Sequence, residues 1–393
     1  MITAERPRRF SIVTETYPPE INGVALTLGH LVRGLDARGH TVSVIRPRQH
    51  AWDAGAHDPA TTLVRGIPLP RYAGLQMGLP AGRGLHDGWT RHRPDAVYVA
   101  TEGPLGYSAV RTARRLGIPA FSGFHTNFHG YMRHYGAAWL QAVALGYLRH
   151  FHNQTSGTIV ATNELRDRLA ALGFDNLHVL GRGVDAELFT PERRSTALRA
   201  SWGVKPHEAV LLHVGRLAPE KNLTLVVDVY QSLLRHGHAV RCVLVGHGPL
   251  RATLERQHPD VIFTGVLTGQ ALAAHYASAD VFVFPSETET FGNVTLEALA
   301  SGLAVVAFDY AAGRAHITHG ESGLLVPCGD RDAFVARAAT LVGSPSWLAE
   351  IRRHARASIA RVAWTQVVER FESILTGSPQ HDAALASARR ETC

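Results

Sequence analysis

An arginine and a lysine stand five positions apart in the stretch HVGRLAPEKN, residues 213–222, which follows an apolar run and opens a helical pattern. This spacing lets the guanidinium of Arg216 and the ammonium of Lys221 converge on one anion, beside the free N–H groups of a helix start. The alternative is a solvated loop with a surface ion pair to Glu220. The chain has only two lysines, Lys205 and Lys221. That one of them falls in this loop favours the anion site.

Two glutamates flank the start of a helical pattern in SETETFGNVTLEALASG, residues 286–302. If the helix begins at Phe291, Thr290 or a neighbour caps it, and its first N–H groups suit an anion. The alternative is a capping box with a surface acid. Eight helical residues span about 12 Å, so Glu289 and Glu297 are too far apart for the paired carboxylates of a hydrolase, which lie ~5–9.5 Å apart. We interpret them as contacts to two parts of one long ligand.

Two further stretches follow predicted strands. Gly23 lies in an Asn-Gly turn that opens a helix, where close backbone approach and free N–H groups suit an anion, although an ordinary turn is the alternative. His125 comes directly after another strand, where a parallel sheet carries its ligand contacts. Residues 131–152 then mix apolar and basic side chains, as expected either of a segment on an anionic membrane surface or of a core helix.

These residues need a fold that brings the ends of several strands together, and the hydrophobic pattern predicts such a fold. Short apolar runs alternate with amphipathic ones, which predicts parallel sheets covered by helices. The pattern starts again near residue 209, so we predict two doubly wound α/β domains, 1–190 and 209–358, joined by a polar linker, 191–208. The predicted strands are 10–14, 41–45, 96–100, 120–123, 157–161, 209–214, 240–245, 261–264, 281–284 and 304–308. The predicted helices include 24–38, 222–235 and 363–375, and the tail 377–393 is expected to be loosely ordered.

Composition sets the outer limits. A chain of 393 residues exceeds one ordinary core, and 45% hydrophobic with 19% charged residues is typical of a globular protein. No apolar run is long enough for a membrane span or a signal peptide, so we expect a cytoplasmic protein. Three cysteines without a CxxC pair argue against a disulfide framework or a zinc cluster. The net charge of +7 suits an anionic partner, but no nucleic-acid motif occurs, and neither does a GxGxxG or Walker A motif.

Taken together, the motifs resemble the retaining glycosyltransferases of family four, over nearly the whole chain. YPPEINGV is similar to the glycine loop of that family, GRLAPEKN to its Arg/Lys phosphate motif, and ETFGNVTLE to its E-x7-E motif. The segments ASADVFVFPS and SGLLVP are also typical of it. The resemblance implies the GT-B fold, in which two Rossmann-like domains face a cleft. It also implies that a helix, here residues 359–376, crosses back to the N-terminal domain.

The resemblance further implies a nucleotide-sugar donor held mainly by the C-terminal domain. Arg216 and Lys221 would bind the diphosphate and not the glutamates, Glu289 the sugar hydroxyls, and Glu297 the ribose hydroxyls. His125 would lie beside the sugar, and Gly23 near the donor phosphate or the acceptor. The implied catalytic residues are His125, Arg216, Lys221 and Glu289, and the implied donor-binding residues are Gly23, Gly215, Phe291, Gly292, Asn293 and Glu297.

No DxD-like metal motif stands out, so we expect no metal and no other cofactor, with fixed cations and a helix dipole in its place. Our mechanistic hypothesis is a same-face displacement in which the leaving phosphate helps to deprotonate the acceptor.

The expected partners are a GDP- or UDP-sugar donor and a lipid or glycan acceptor, with peripheral contact to the inner face of an anionic membrane and no nucleic acid. The resemblance favours GDP-mannose as the donor, and the alternative is a UDP-sugar-dependent glycolipid synthase. A sugar-nucleotide epimerase and a non-catalytic sugar-nucleotide or membrane-binding protein are the remaining classes. In DYAAGRAHI, residues 309–317, Ala315-His316 replace the acidic residue usual in this family, which leaves the base preference open.

Overall fold

Parallel β-sheets organise both of the units into which the chain divides. Unit 1 comprises Met1–Arg182 and Trp364–Cys393, and unit 2 comprises Gly183–Ala363. The computed structural model describes residues 6–20, 22–49, 53, 60–68, 76–125, 138–289, 291–360 and 362–377, with backbone alone for 138–140.

The strands of the described residues form a seven-stranded parallel sheet in unit 1, in the order β3-β2-β1-β6-β7-β8-β9. Unit 2 has a six-stranded parallel sheet in the order β12-β11-β10-β13-β14-β15, and β4 pairs antiparallel with β5. Their bounds are β1 (Arg9–Val13), β2 (Thr41–Pro47), β3 (Thr61–Val64), β4 (Gly66–Pro68), β5 (Gln76–Gly78), β6 (Ala96–Val99), β7 (Ala120–Gly123), β8 (Gly157–Val160), β9 (Leu177–Val179), β10 (Ala209–Val214), β11 (Val240–Val245), β12 (Ile262–Gly265), β13 (Val281–Phe284), β14 (Ala304–Phe308) and β15 (Gly323–Val326).

Helices cover both faces of these sheets, which is why strands such as VFVF of β13 and AVVAF of β14 are buried at every position. The described helices are α1 (Gly23–Ala37), α2 (Gly82–Arg91), α3 (Pro104–Arg115), α4 (Ala138–His152), α5 (Asn163–Ala171), α6 (Thr196–Ser201), α7 (Leu223–Arg235), α8 (Arg251–Gln257), α9 (Gly269–Ser278), α10 (Asn293–Ala300), α11 (Ala311–His316), α12 (Arg331–Val342), α13 (Pro345–Ser358) and α14 (Trp364–Thr376). All ten predicted strands and the three predicted helices occur with ends within one or two residues of the prediction, and the predicted doubly wound α/β class is confirmed.

The last helix, α14, packs against α1 within unit 1 although it follows unit 2 in the chain. Gly34 of α1 permits this contact, because a Cβ at that position would lie 2.3 Å from Cγ2 of Val368. Phe371 is completely buried in the core between the helices and the sheet. The buried carboxylate of Glu372 accepts a hydrogen bond from Nε of Arg38 at 2.6 Å. Apolar packing and a charged tie therefore hold α14 on unit 1.

The polar stretch 191–208, interpreted above as a linker, carries a 3₁₀ helix and α6 and belongs to unit 2. Arg194 and Arg199 bind the carboxylate of Asp280 at 2.8 and 2.9 Å. Arg352 from α13 binds the same carboxylate at 3.0 Å. Three guanidinium groups on one buried acid therefore fix this stretch beside α9 and α13.

Candidate active site

The functional residues predicted in unit 2 come from loops that follow neighbouring strands. Gly215 and Arg216 come directly after β10, and Lys221 ends the 3₁₀ helix that leads to α7. Glu289 lies in the loop after β13, which is hydrogen-bonded to β10 in the sheet. Parallel strands end at the same edge of a sheet, so these loops meet there. We call Arg216, Lys221, Glu289 and Glu297 the unit 2 cluster.

At the centre of the unit 2 cluster, the ammonium group of Lys221 forms an ion pair with the carboxylate of Glu289. Ser286 donates a second hydrogen bond to the same carboxylate oxygen at 2.7 Å. The Lys221 ammonium also lies 5.8 Å from the ring centroid of Phe284. The expectation that the cations do not bind the glutamates is therefore wrong for this pair, whereas phosphate binding by Lys221 stays a prediction. Its partners are 68 positions apart in sequence, and only the adjacency of β10 and β13 brings them together.

Arg216 does not converge with Lys221 on one partner. Its Nη1 atom lies 3.7 Å from Oε1 of Glu220, and the two side chains are 60% and 41% exposed. This is the surface ion pair that the sequence left open as the alternative, and such a pair contributes little to stability. The exposed guanidinium is consequently available to a ligand at small cost.

The N-terminus of α10 presents backbone N–H groups beside Glu289. The helix begins at Asn293, two residues later than predicted, and no side chain of the described residues caps it. Its first N–H groups therefore keep their hydrogen-bonding capacity. Gly292 precedes it with a φ of +94°, in the left-handed region that favours glycine, while the side chain of Phe291 is buried. The predicted cap at Thr290 lies outside the described residues.

Glu297 projects from the second turn of α10 and has its own environment. The hydroxyl of Tyr276 donates a hydrogen bond to its Oε2 atom at 2.8 Å. Burial raises the pKa of the Glu297 carboxyl to about 7, against the lowering effect of the Tyr276 hydrogen bond. Only part of the segment between Glu289 and Glu297 is helical, so the 12 Å helical span assumed from sequence does not apply. The two glutamates nevertheless have different partners, which agrees with separate roles.

In unit 1, His125 lies just beyond β7, as predicted, with both ring nitrogens engaged. Nε2 is 3.0 Å from the hydroxyl of Tyr98, and Nδ1 is 3.0 Å from Nη2 of Arg182. A guanidinium can only donate, so Nδ1 accepts and the neutral ring carries its proton on Nε2. Burial and then the charge of Arg182 hold the pKa of His125 well below its usual range. The rest of this motif, residues 126–137, lies outside the described residues.

Two carboxyl groups that sequence reasoning missed lie at the same edge of unit 1. Glu15 follows β1 and Glu102 follows β6. Burial raises the pKa of Glu15 to about 7, opposed by a backbone hydrogen bond from Gly78 and reinforced by the charge of Glu102. Nε2 of the buried His152 is 3.3 Å from Oε1 of Glu102. We call Glu15, Glu102, His125 and Arg182 the unit 1 cluster. Their common signal in the sequence was their position just past predicted strands or strand-like runs.

Gly23 is the first residue of α1, but this helix start is less open than the sequence suggested. The side chain of Asn22 accepts hydrogen bonds from the N–H groups of Val24 and Ala25 at 3.1 and 2.9 Å. Leu26 bonds to the carbonyl of Asn22. Among the described residues, the N–H of Gly23 is thus the one first-turn donor of α1 without a hydrogen-bond partner.

Comparisons with known proteins identify the family. A family model described as Glycosyltransferase Family 4 matches residues 21–188, and one described as Glycosyl transferases group 1 matches residues 208–344. A GDP-mannose-dependent alpha-mannosyltransferase of Mycobacterium tuberculosis is 37% identical over 328 residues, which cover 82% of this chain and 84% of the relative. The chain belongs to glycosyltransferase family 4.

Two further similarities of the glycosyltransferase concern a plant relative and a solved structure. The sulfoquinovosyl transferase SQD2 of Arabidopsis thaliana is 30% identical over 91% of this chain and 71% of that protein. The crystal structure of Anabaena HepE in complex with UDP and glucose aligns with a TM-score of 0.75 at 19% identity, over 94% of this chain and all of that chain. The latter likeness concerns the fold alone and confirms the expected GT-B architecture. The enzyme is therefore a hexosyltransferase, as the motifs predicted.

Two kinds of feature are absent from the described residues of the glycosyltransferase. Within the described ranges, no helix combines the length and the apolar character that a membrane span requires. Across the same part of the chain, no group of three or more histidine, cysteine, aspartate or glutamate side chains is placed to hold a metal ion.

Proposed function

We propose that this enzyme transfers mannose from GDP-mannose, with retention of configuration, to a lipid-linked or glycan acceptor at a membrane surface. The observation that carries the donor assignment is the 37% identity, over most of both chains, to a relative named for GDP-mannose-dependent α-mannosyl transfer. The proposal assigns the nucleotide-sugar to Arg216, Lys221, Glu289 and Glu297 of unit 2.

The unit 2 cluster suggests how the donor is held. The diphosphate accepts hydrogen bonds from Lys221, from the exposed Arg216 and from the uncapped N–H groups at Gly292 and Asn293. Glu289, fixed by Ser286 and Lys221, accepts hydrogen bonds from sugar hydroxyls. Glu297 accepts from the ribose hydroxyls. Lys221 thus lies between the sugar-binding carboxylate and the phosphates, where it neutralises the charge that develops on the leaving group.

The transfer step needs no protein nucleophile in this proposal. The bond between the sugar C1 and the phosphate oxygen breaks, and the acceptor hydroxyl oxygen forms a bond to C1 on the same face. The hydroxyl proton passes to the departing phosphate. His125 is neutral with both ring nitrogens engaged, so we assign it a positioning role beside the sugar and not proton transfer.

We also propose that the reaction proceeds without a metal ion. In many phosphate-transfer enzymes a divalent cation neutralises the diphosphate. Here the fixed charges of Arg216 and Lys221 and the N-terminus of α10 are assigned that task.

A second candidate is a UDP-sugar-dependent glycolipid synthase. The specific observation in its favour is the 30% identity to the sulfoquinovosyl transferase. The loop 309–317, with Ala315-His316 in place of the usual acid, is where the base preference could differ. The side chain of His316 packs edge-on against Phe291, with ring centroids 5.8 Å apart.

Contact with a membrane surface is proposed for α4. One face of this helix is buried through Leu148 and Phe151. The helix also exposes Val143 and Tyr147, at 63% and 41%, together with Arg149 and His150 of its last turn. Exposed apolar side chains beside basic ones suit an anionic lipid surface. In a flotation experiment, the wild-type enzyme should therefore float with anionic vesicles, and a Val143→Asp variant should not.

The donor assignment is tested by thermal shift across GDP- and UDP-sugars, followed by incubation with membrane lipid. GDP-mannose should raise the melting temperature by mass action and give a mannosylated lipid. A shift with a UDP-sugar and none with GDP-mannose would overturn the assignment in favour of the second candidate. Epimerised free donor without glycolipid would indicate an isomerase.

A further inference from the structure

Arg182 combines deep burial with a charge that no carboxylate of the described residues balances. The residue follows β9 at the carboxyl edge of the unit 1 sheet and is 7% exposed. Its hydrogen-bond partner within the described residues is the neutral ring of His125. Burial lowers the pKa of Arg182, and Tyr98 is the group that opposes this shift. Glu15 and Glu102, the carboxyl groups of the same cluster, form no ion pair with Arg182.

The other buried arginines of the described chain show what is unusual here. Arg46 is 6% exposed and binds both carboxylate oxygens of Asp53, at 3.0 and 3.1 Å. Arg199 is 8% exposed and binds Asp280 at 2.9 Å. A buried cation is costly unless an anion pairs with it, and in these two arginines the protein provides the anion itself.

The guanidinium of Arg182 has further N–H donors besides the one that binds His125. Each guanidinium nitrogen of Arg182 is either accessible or hydrogen-bonded. The hydrogen bond within the described residues is that of Nη2 to His125. The remaining N–H groups are therefore accessible at the edge of the sheet where ligands of doubly wound folds bind. An oxyanion at this position would accept two of them in parallel.

We propose that Arg182 is the anchor of an oxyanion subsite in unit 1 that binds a phosphate group of a substrate. This inference rests on the proposed glycosyl transfer for the source of the phosphate, which is either the headgroup of a phospholipid-type acceptor or the donor diphosphate. The subsite is separate from the phosphate contacts assigned to Arg216 and Lys221. The protein leaves the charge of Arg182 without a carboxylate partner because the phosphate of the substrate is its anionic partner.

The direct test uses inorganic phosphate as the probe in a background that lacks the unit 2 cations. In the Arg216→Ala, Lys221→Ala double variant, phosphate should raise the melting temperature by about 2–4 °C at matched ionic strength. Adding Arg182→Met should abolish that rise. An equal rise with and without Arg182 would overturn the proposal. Because no donor is present, this result does not depend on whether GDP-mannose is the substrate.

Stability in the absence of phosphate provides the matched control. Arg182→Met removes an unbalanced charge, so it should leave the melting temperature unchanged or higher. Arg46→Met leaves the carboxylate of Asp53 without its guanidinium partner and should lower the melting temperature. If both variants lose the same number of degrees, Arg182 is a structural tie and the proposal fails.

Kinetics then identify the source of the phosphate. Arg182→Met should raise one KM by about 10- to 100-fold, the loss expected for a hydrogen bond to a charged group. A rise for the acceptor alone assigns the subsite to its headgroup, and a rise for the donor alone assigns it to the diphosphate. Either outcome supports an oxyanion subsite. A fall in kcat with both KM values unchanged would show that Arg182 only positions His125, and would overturn the proposal.

Discussion

The two clusters use similar residue types in opposite ways. In the unit 2 cluster, Lys221 and Glu289 are partly exposed and neutralise each other, and Arg216 is weakly tied at the surface. In the unit 1 cluster, His125 is neutral, Glu15 has a raised pKa, and the hydrogen-bond partner of the buried Arg182 among the described residues is neutral. Arg216, Lys221 and Glu289 of unit 2 thus form charge pairs that a ligand can open and share. Burial disfavours the charges of the unit 1 groups and, in unit 2, the charge of Glu297.

The two clusters therefore suit ligands of different chemistry. A charged, polyhydroxylated donor suits unit 2, because Arg216, Lys221 and Glu289 offer charges to a ligand and the exposed pair of Arg216 with Glu220 opens at little cost. A ligand of unit 1 must instead replace solvent around buried groups, so its affinity depends on how rigidly the surrounding core holds them. The support under the unit 1 cluster is α14, whose Phe371 packs edge-on against Tyr98 at 5.0 Å.

The largest expected effect comes from removing that support. Phe371→Ala leaves a cavity in the unit 1 core and should lower the free energy of unfolding by about 3–5 kcal/mol, as measured by urea denaturation. Phe334→Ala is the matched control, since Phe334 is equally buried and packs edge-on against Phe308 in unit 2. Both variants should lose stability. When activity is measured at a temperature at which both variants are folded, only Phe371→Ala should raise the acceptor KM. The same rise with Phe334→Ala would contradict separate support for the unit 1 cluster.

The next largest effect concerns the central pair of unit 2. Lys221→Ala should lower kcat about 10²- to 10³-fold, because a preorganised cation is lost at the leaving phosphate. Lys205→Ala removes the other lysine, which is exposed, and should leave kcat unchanged. Glu289→Gln combined with Lys221→Ala should cost less than the sum of the single losses, since the two side chains act as a unit. Transfer at the wild-type rate in Lys221→Ala would remove Lys221 from the mechanism.

The sequence predicted the scaffold well because parallel strands buried on both faces are almost continuously apolar, as in AVVAF of β14. It also placed Arg216, Lys221 and His125 at strand ends. The predictions depended on local periodicity, which tertiary structure changes little in such sheets.

Side-chain partnerships were beyond the same reasoning. The contact between Lys221 and Glu289 depends on which strands are neighbours, and strand order is not written in local periodicity. The unbalanced charge of Arg182 is visible only when every carboxylate near it is known. Likewise, the raised pKa of Glu297 follows from burial around α10, and a glutamate in a helical pattern carries no sign of it.

A smaller effect is expected from the pH dependence of donor binding. The folded pKa of Glu297, about 7 against an ordinary value of 4.5, means that the folded state holds a proton which the unfolded state has released. The stability associated with that proton is present at low pH and lost as the pH rises through about 7. The ionised carboxylate is the better acceptor for ribose hydroxyls. The donor Kd should therefore improve up to about tenfold between pH 6 and pH 8.

Two substitutions sharpen this pH prediction. Glu297→Gln should flatten the profile of donor Kd, measured by calorimetry at each pH. Glu15→Gln removes the unit 1 carboxyl with a similarly raised pKa and should leave the donor profile unchanged. A profile flattened by Glu15→Gln and not by Glu297→Gln would reverse the assignment of the two clusters.

The smallest expected effect is that of a chelator. If Arg216, Lys221 and the N-terminus of α10 neutralise the leaving diphosphate, EDTA should change kcat/KM by less than about twofold. The informative comparison is with Lys221→Ala, where Mg²⁺ or Mn²⁺ should not restore transfer, because the fixed ammonium and not a mobile cation supplies the charge. A loss of activity in EDTA that Mg²⁺ or Mn²⁺ reverses would mean that the unit 2 cluster binds the donor only as a metal complex. The ion pair of Lys221 with Glu289 would then act mainly to orient the carboxylate towards the sugar.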